Sequence, residues 1–419
     1  MMRARLTSGA ALLVAFALAI AIDWGHGQAS ALGRAPVPSG THRADSRDRA
    51  RHVVRAACEY LWARQAADGG WHSETYGLLK SGQALTPFVL HTLLSVPHER
   101  SSPPRGAIER GLDFIRRHTN GDGAVGMADQ DVLEYPTYAT SYALRCLVRA
   151  GDRRDRELVD RMRRWLVMRQ FREHNGFSTA APAYGGWGFG GPRPPGSPGH
   201  MDLAHTRRAL EALRETGQRD RSMFDAAQVF LRLTQRCDDR DDGGFYFSPV
   251  VLDANKSKRD GARFRSYATA TCDGVLSLLA AGVPADDPRV MAARRWLAAH
   301  AKLDYPEGVP ADDPQGWGDA IHFYHLAVRA EAYAALDWPG EWREELAALL
   351  AAQQNADGSF VNRENHLMKE NDPLLCTALA LIAARHAIEP RPTDGSRRVL
   401  DRDRRLHQVC DDDGQLLAR

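Results

Sequence analysis

Four short stretches of this 419-residue chain hold side chains that could do chemistry. In Asp202-Leu203-Ala204-His205-Thr206 a carboxylate and an imidazole stand three residues apart, ahead of an apolar face marked by Leu203, Leu210 and Leu213. Asp202 can serve there as an acid or base, or cap the helix that follows by accepting its free N–H groups. Asp239-Arg240-Asp241-Asp242 puts three carboxylates in four residues, but Asp242 opens an Asp-Gly-Gly-Phe turn, so the run reads as a solvated charged turn. Asp319-x-x-His322-x-x-His325 has metal-ligand residue types, and positions three apart share a helix face. Positions 319 and 325, however, lie roughly 600° apart around a helix, so the three do not converge, and satisfied or cavity-lining histidines are expected. Cys272-Asp273 offers two ligand types side by side with no partner near by. No metal and no cofactor is expected from these sets.

The elements that must position such residues are helical. Arg289–His300 follows Pro288 and carries Val290, Ala293 and Leu297 at helical spacing, while Leu346, Leu349 and Leu350 mark another face. Strand-like alternation is nearly absent; the one apolar run of that kind, Phe245–Val251, could form a small hairpin. The chain repeats itself. Gln65-Ala-Ala-Asp-Gly-Gly-Trp71 recurs as Gln235 to Phe245 and as Gln354 to Phe360, with a stretched copy from Gln170 to Trp187 and a degenerate one at Asn120-Gly-Asp-Gly123. Some 15 residues later comes a second motif leading into a helix: Tyr135 to Thr140, Asp202 to Thr206, Arg265 to Thr269, Asp372 to Thr377. Each unit is therefore helix, glycine turn, helix, and units that bury their faces against neighbours build a solenoid or a closed barrel.

Bulk properties narrow the function. Lys and Arg number 55 against 53 Asp and Glu, so no global charge favours nucleic acid. Arg3 and Arg5, the 13-residue apolar stretch Ala10–Ile22 and Ala29-Ser30-Ala31 form the basic, apolar, small order of a secretory signal or, if uncleaved, an N-terminal anchor. Either places the body outside the cytoplasm: periplasmic, in the cell envelope or secreted. The expected organisation is 1–31 signal or anchor, 32–52 linker, 53–388 repeat domain and 389–419 charged tail. The six cysteines lack any C-x-x-C spacing, and Cys146, Cys272 and Cys376 read as small buried hydrophobes. There is no Gly-x-Ser-x-Gly, phosphate loop or dinucleotide fingerprint. The irregular segment Gly185–Gly199, just ahead of Asp202, could cover a cavity mouth or simply connect two helices.

The glycine turns resemble those of squalene–hopene cyclases and of the wider prenyltransferase/squalene oxidase repeat superfamily, where they are called QW repeats. The likeness spans about Val53 to His386 and implies an all-α (α/α)6 toroid, with inner helix N-termini facing a central cavity. It also implies a structural job for the turn residues Gln65, Trp71, Gln170, Trp187, Gln235, Phe245, Gln354 and Phe360. Cyclases of that kind protonate an alkene with the middle Asp of Asp-x-Asp-Asp-Thr, and protein prenyltransferases hold zinc through Asp, Cys and His. At the matching register this chain has Ala204 and His205 instead of the second and third acids, and no zinc set is in place. Catalytic candidates are reduced to Asp202, His205, Asp273 and Asp319, while Tyr135, Tyr138, Tyr267, His322 and Tyr324 are expected to line the cavity. The function expected first is an exported, non-cyclising member that binds an isoprenoid or lipid-like molecule, or a peptide, in its cavity. The alternatives are a diverged cyclase or prenyltransferase and a purely structural interaction module.

Overall fold

The computed structural model describes residues 43–128, 132–194, 196–237 and 242–388; the proposed signal, Pro195, Asp239, Asp241, Cys410 and the charged tail lie outside them. Fourteen α-helices occupy these residues: α1 (Arg43–Ala63), α2 (Leu85–Leu94), short α3 (His98–Ser101), α4 (Ala107–Arg117), α5 (Pro136–Ala150), α6 (Arg156–Arg169), α7 (Leu203–Glu215), α8 (Arg221–Thr234), α9 (Ala268–Ala280), α10 (Pro288–Ala299), short α11 (Trp317–Ala320), α12 (His322–Ala335), α13 (Trp342–Gln353) and α14 (Pro373–Ile388). Helices α2, α5, α7, α9, α12 and α14 pack each on the next, and α14 returns to α2, closing a ring. Around it stand α1, α4, α6, α8, α10 and α13, packed on α14, α2, α5, α9, α9 and α14. The architecture is an (α/α)6 toroid.

Sequence pattern assigns each helix to its layer. Outer helix α4 buries Ala107, Leu112, Phe114 and Ile115 on one side and exposes Glu109, Arg110 and Arg117 on the other. Inner helix α14 is apolar on nearly all sides, as a helix enclosed by neighbours must be. No helix of the described residues is long and apolar enough to cross a membrane. Cys58, Cys146, Cys272 and Cys376 are buried free thiols, and burial pushes Cys58 and Cys272 up to about 12.

The glycine turns clamp successive units together. The Gln170 amide donates both to Gly185 O of its own turn (2.9 Å) and to Met223 O of the next outer helix (2.9 Å). Gln65, Gln235 and Gln354 make the same double bond, to Gly69 and Ala107, Gly243 and Arg289, and Gly358 and Val53. The last pair joins the end of the chain to α1. Turn glycines Gly185 (φ 83°) and Gly358 (φ 87°) are left-handed, and a Cβ on them would meet Ala226 O at 1.8 Å and Ala56 O at 2.4 Å. The residue after each glycine pair is tied inward: the backbone N–H groups of Trp71, Val125, Trp187, Phe245 and Phe360 donate to the hydroxyls of Thr86, Thr140, Thr206, Thr271 and Thr377.

Three expectations shift. Helix α1 begins at Arg43, inside the segment read as linker, because Ala50, Val53, Val54 and Ala57 continue one buried stripe. Phe245–Val251 forms no hairpin; Asn255 folds it into a loop by accepting from Phe247 and Ser248 N–H, and the described strands are β1 (Arg259–Asp260) and β2 (Arg263–Phe264), paired antiparallel. In the fourth unit Thr271 holds the turn, while Thr269 faces His325.

Gln170→Ala leaves the buried Gly185 carbonyl without this donor and removes a second donor from Met223 O, and is expected to cost roughly 1–3 kcal/mol. Gln65→Ala, at a half-buried clamp, is expected to cost about 1 kcal/mol. Urea unfolding of both variants measures the difference; equal, small losses would show that the clamps do not hold the ring.

Candidate functional site

The inner helices begin on one rim, where each leaves N–H groups without helical partners. Buried carboxylates meet them. Glu134 accepts from Ser81 and Ala84 N–H (2.9 and 3.0 Å) ahead of α2, Glu370 from Phe323 and Tyr324 (2.9 and 2.8 Å) in α12, and Asp372 from Leu374 and Leu375 (both 3.0 Å) in α14. Asp202 does the same for α7 through the N–H of His205 (2.9 Å). These are charge–dipole contacts as well as hydrogen bonds. Burial still outweighs them at Glu370, whose carboxyl is pushed up to about 7.

Asp202 has a second set of partners. Its Oδ2 lies 2.9 Å from His205 Nδ1 and 3.1 Å from His200 Nε2. Burial opposes its charge, but His205 and the hydrogen bonds of both histidines outweigh burial and hold the carboxyl well below the usual range. The bond to Asp202 raises His200 in turn, against burial. Ala204, at the register where the resemblance calls for an acid, is a buried methyl in the first turn of α7.

Aromatic side chains stand around this pair. The Tyr138 ring meets His205 edge-on at 4.7 Å, and Phe189 stacks obliquely on Tyr135 at 5.2 Å and lies 6.2 Å from His205. Tyr135 caps α5 with a left-handed backbone (φ 46°), a strained position for a side chain of its size. The Gly185–Gly199 loop delivers Phe189 and His200 by pairing Gly188 with Met201, and Phe189 C=O accepts the N–H of Thr137 at the start of α5. The loop thus covers the α5 and α7 ends of the rim.

Tyr267, Tyr324 and Lys256 complete one constellation. Asp202 and Asp273 both lie near enough to act by charge on Tyr138, Tyr267 and Lys256. Burial pushes Tyr138 and Tyr324 well up, yet each keeps part of its surface accessible, as side chains around an internal space do. Tyr324 Oη donates to Asp273 at 2.9 Å. Lys256 is 92 % buried (8 % exposed), donates to Ala254 O (2.9 Å) and lies over the rings of Phe247 and Trp317 at 4.5 and 4.8 Å. Burial lowers it to about 8.

Two expected members are elsewhere. His322 turns outward to Gln353 of outer helix α13 (3.1 Å), because α12 starts at that residue. Asp319 is exposed on α11. His200 and Lys256 were not among the expected residues. The spacing His200-x-Asp202-x-x-His205 was a usable signal for the first; Lys256 carried none.

Deeper in the ring, ion pairs connect four inner helices. Arg207 reaches Asp273 of α9 (3.0 Å), Glu211 of its own helix (2.6 Å) and Glu331 of α12 (2.5 Å). Arg208 and Arg145 of α5 both bond Glu211 (3.0 and 3.1 Å). Arg208 also faces the Tyr142 ring at 5.5 Å. Burial pushes Asp273 up, with Arg207 and Arg208 offsetting part of that.

Lys256 sets a pH-dependent cost. Its folded value, about 8, is below the ordinary 10.5, so the folded state binds its proton less firmly than the unfolded chain. The penalty is full below pH 8 and disappears as pH rises toward 10.5. After allowing about 1–2 kcal/mol for the lost ring contacts, Lys256→Met is expected to stabilise the protein by about 2 kcal/mol at pH 7 and by nothing near pH 10.5. Thermal melts at both values test this; a less stable variant at pH 7 refutes it.

No protein-family model matches the sequence, and no curated protein matches it. Solved structures do. The type II terpene cyclase MstE from Scytonema, in complex with its product merosterolic acid A, is 14% identical, with 83% of this chain covering 99% of that one at a TM-score of 0.53. Its complex with the substrate geranylgeranyl dihydroxybenzoate superposes over the same shares at a TM-score of 0.52 and 14% identity, and a further substrate complex at 0.54 and 13%. The chain therefore has the α/α-toroid fold of the type II terpene cyclases.

Proposed function

We propose that the protein binds an isoprenoid-like ligand, an apolar chain with one polar end, inside its toroid, and that it does not start a cyclisation by protonating an alkene. The observation that carries this reading is Tyr138 edge-on to the buried Asp202–His205 pair, with Tyr324 bonded to the buried Asp273 and Lys256 buried over aromatic rings. Tyrosine faces supply apolar contact and the charged groups one polar anchorage, the mix of a small-molecule site. The fold is shared with a cyclase that holds an isoprenoid-bearing substrate and its product.

Proton strength argues against cyclisation. An alkene takes a proton only from an unusually strong acid. Asp202 is held ionised by its histidine partners, so it has no proton to give, and its bond raises His200, which weakens that ring as a donor. Burial raises Asp273 and Glu370, which weakens both as acids, and both Glu370 oxygens already accept backbone N–H groups. We further propose, from the Arg3–Ala31 segment, that the protein works outside the cytoplasm; N-terminal sequencing of the mature protein tests that.

The function is tested by extracting the purified protein with organic solvent and analysing the extract by mass spectrometry, then titrating emptied protein with geranylgeraniol. A co-purifying polyprenyl or fatty molecule and saturable binding are expected. The double variant Tyr138→Ala/Tyr324→Ala should bind about tenfold more weakly, the roughly 1.4 kcal/mol that aromatic contacts of this kind contribute. An empty protein that binds no isoprenoid sinks the proposal, and so does binding of a peptide alone. A cyclised product from squalene or geranylgeranyl diphosphate, lost in Asp202→Asn, would overturn the non-cyclising half and locate the acid.

A further inference from the structure

His200, Asp202 and His205 bring two imidazole nitrogens and a carboxylate oxygen together, all within 4.8 Å of one another. They come from two segments: His200 from the end of the covering loop, Asp202 and His205 from the cap and first turn of α7. Each is held by backbone or ring contacts besides the bonds between the three side chains. Asp202 is fixed by the His205 N–H on its Oδ1, leaving Oδ2 for the imidazoles. The backbone of His200 is pinned by its C=O accepting from Phe189 N–H at 2.8 Å. The His205 ring is wedged against Tyr138.

We propose that this triad is a binding site for a divalent late first-row transition-metal cation of the zinc class. Two nitrogens and one carboxylate oxygen make the donor set of a three-ligand site that can keep a position for water or substrate. The two separations to Asp202 Oδ2 need little movement, and the imidazole nitrogens lie within 4.8 Å of one another. Ligand atoms about 2.0–2.2 Å from a tetrahedral ion stand about 3.3–3.5 Å apart; the present 2.9 and 3.1 Å would widen by a few tenths of an ångström through side-chain rotation. The side chains of Asp202 and His205 are 3 % and 5 % exposed, so the two inner ligands are desolvated in advance, while His200, at 49 %, provides the way in.

His205 Nε2 is buried and has no hydrogen-bond partner among the described residues. A plain hydrogen-bonded triad leaves that atom as an idle acceptor. With the cation on Nδ1, the neutral ring carries its proton on Nε2 and offers a polarised N–H beside Tyr138 and Phe189, where the polar end of a ligand would lie. Charge sets the scale of affinity: Asp202 and Asp273 favour a cation here and Lys256 opposes it. The site is therefore one that exchanges its ion, unlike a closed structural zinc centre.

The proposal stands apart from the identity of the organic ligand, and its test uses metal alone. The full chain, stripped with chelator, is titrated with Zn2+ by calorimetry and with Co2+ by visible absorption. One equivalent is expected to bind, with the intense d–d bands of a low-coordinate Co2+ ion and a rise in melting temperature. His200→Ala, at a half-exposed ring where folding is not at stake, should weaken binding at least tenfold and abolish both the bands and the melting shift. Asp202→Asn, which keeps an N-capping oxygen, should do the same with the melting temperature of the metal-free protein checked separately. The exposed His174→Ala is the control and should change nothing. Binding that is absent, or equally strong in His200→Ala, overturns the proposal, the latter because it would reveal scattered surface histidines. Neither result depends on whether an isoprenoid binds.

Discussion

Six inner helices that all begin at one rim create a requirement that the rest of the molecule must meet. Each start exposes N–H groups with the positive end of a dipole, and a closed ring gives them little water to bond. The answer is buried acid: Glu134, Asp202, Glu370 and Asp372 each accept backbone N–H groups at the head of an inner helix. Such bonds favour the anion, though at Glu370 burial outweighs them. The same geometry that makes the toroid stable therefore draws carboxyl groups to the rim.

Below the rim the interior is more polar than a hydrocarbon ligand alone would require. Arg145, Arg207 and Arg208 are paired with Glu211, Asp273 and Glu331 across α5, α7, α9 and α12. A buried network of this kind adds little net stability over apolar packing, but removing one member leaves an unmatched charge and is expensive. Its geometric effect is clearer: bonds from Arg207 to two other helices fix how α7, α9 and α12 stand relative to one another, and Tyr324 is held by the same Asp273. The floor of ion pairs thus positions an aromatic wall above it.

Much of the scaffold was legible in the chain, because its determinants are local and repeated. The left-handed glycine and the residue two places on keep one offset in unit after unit, and a Gln precedes them in four units at distances from 4 to 15 residues. The Asp202 cap was legible for the same reason. Contacts that depend on ring closure were not: Arg207 meets Asp273 66 residues away, and nothing around Lys256, in Asn255-Lys256-Ser257-Lys258, distinguishes it from a solvated lysine. His322 misled because the short helix α11 precedes it, so that α12 starts with this ring turned to α13 instead of inward. His200 was plain in the sequence but belonged to a loop whose path no periodicity specifies.

Ala204 and His205 shape the charge at the head of α7. With a methyl at 204, no second carboxylate stands beside Asp202 to raise its proton affinity, so Asp202 stays ionised and can hold two imidazoles. A row of adjacent acids would repel itself and keep a proton among its members, whereas a single carboxylate hydrogen-bonded to two imidazoles stays ionised. The rim at α7 thus holds negative charge between two rings. What that arrangement recognises well is a cation or a hydrogen-bond donor, which ties the chemistry of the rim to its electrostatics and leaves the fold of the cyclases intact beneath a different site.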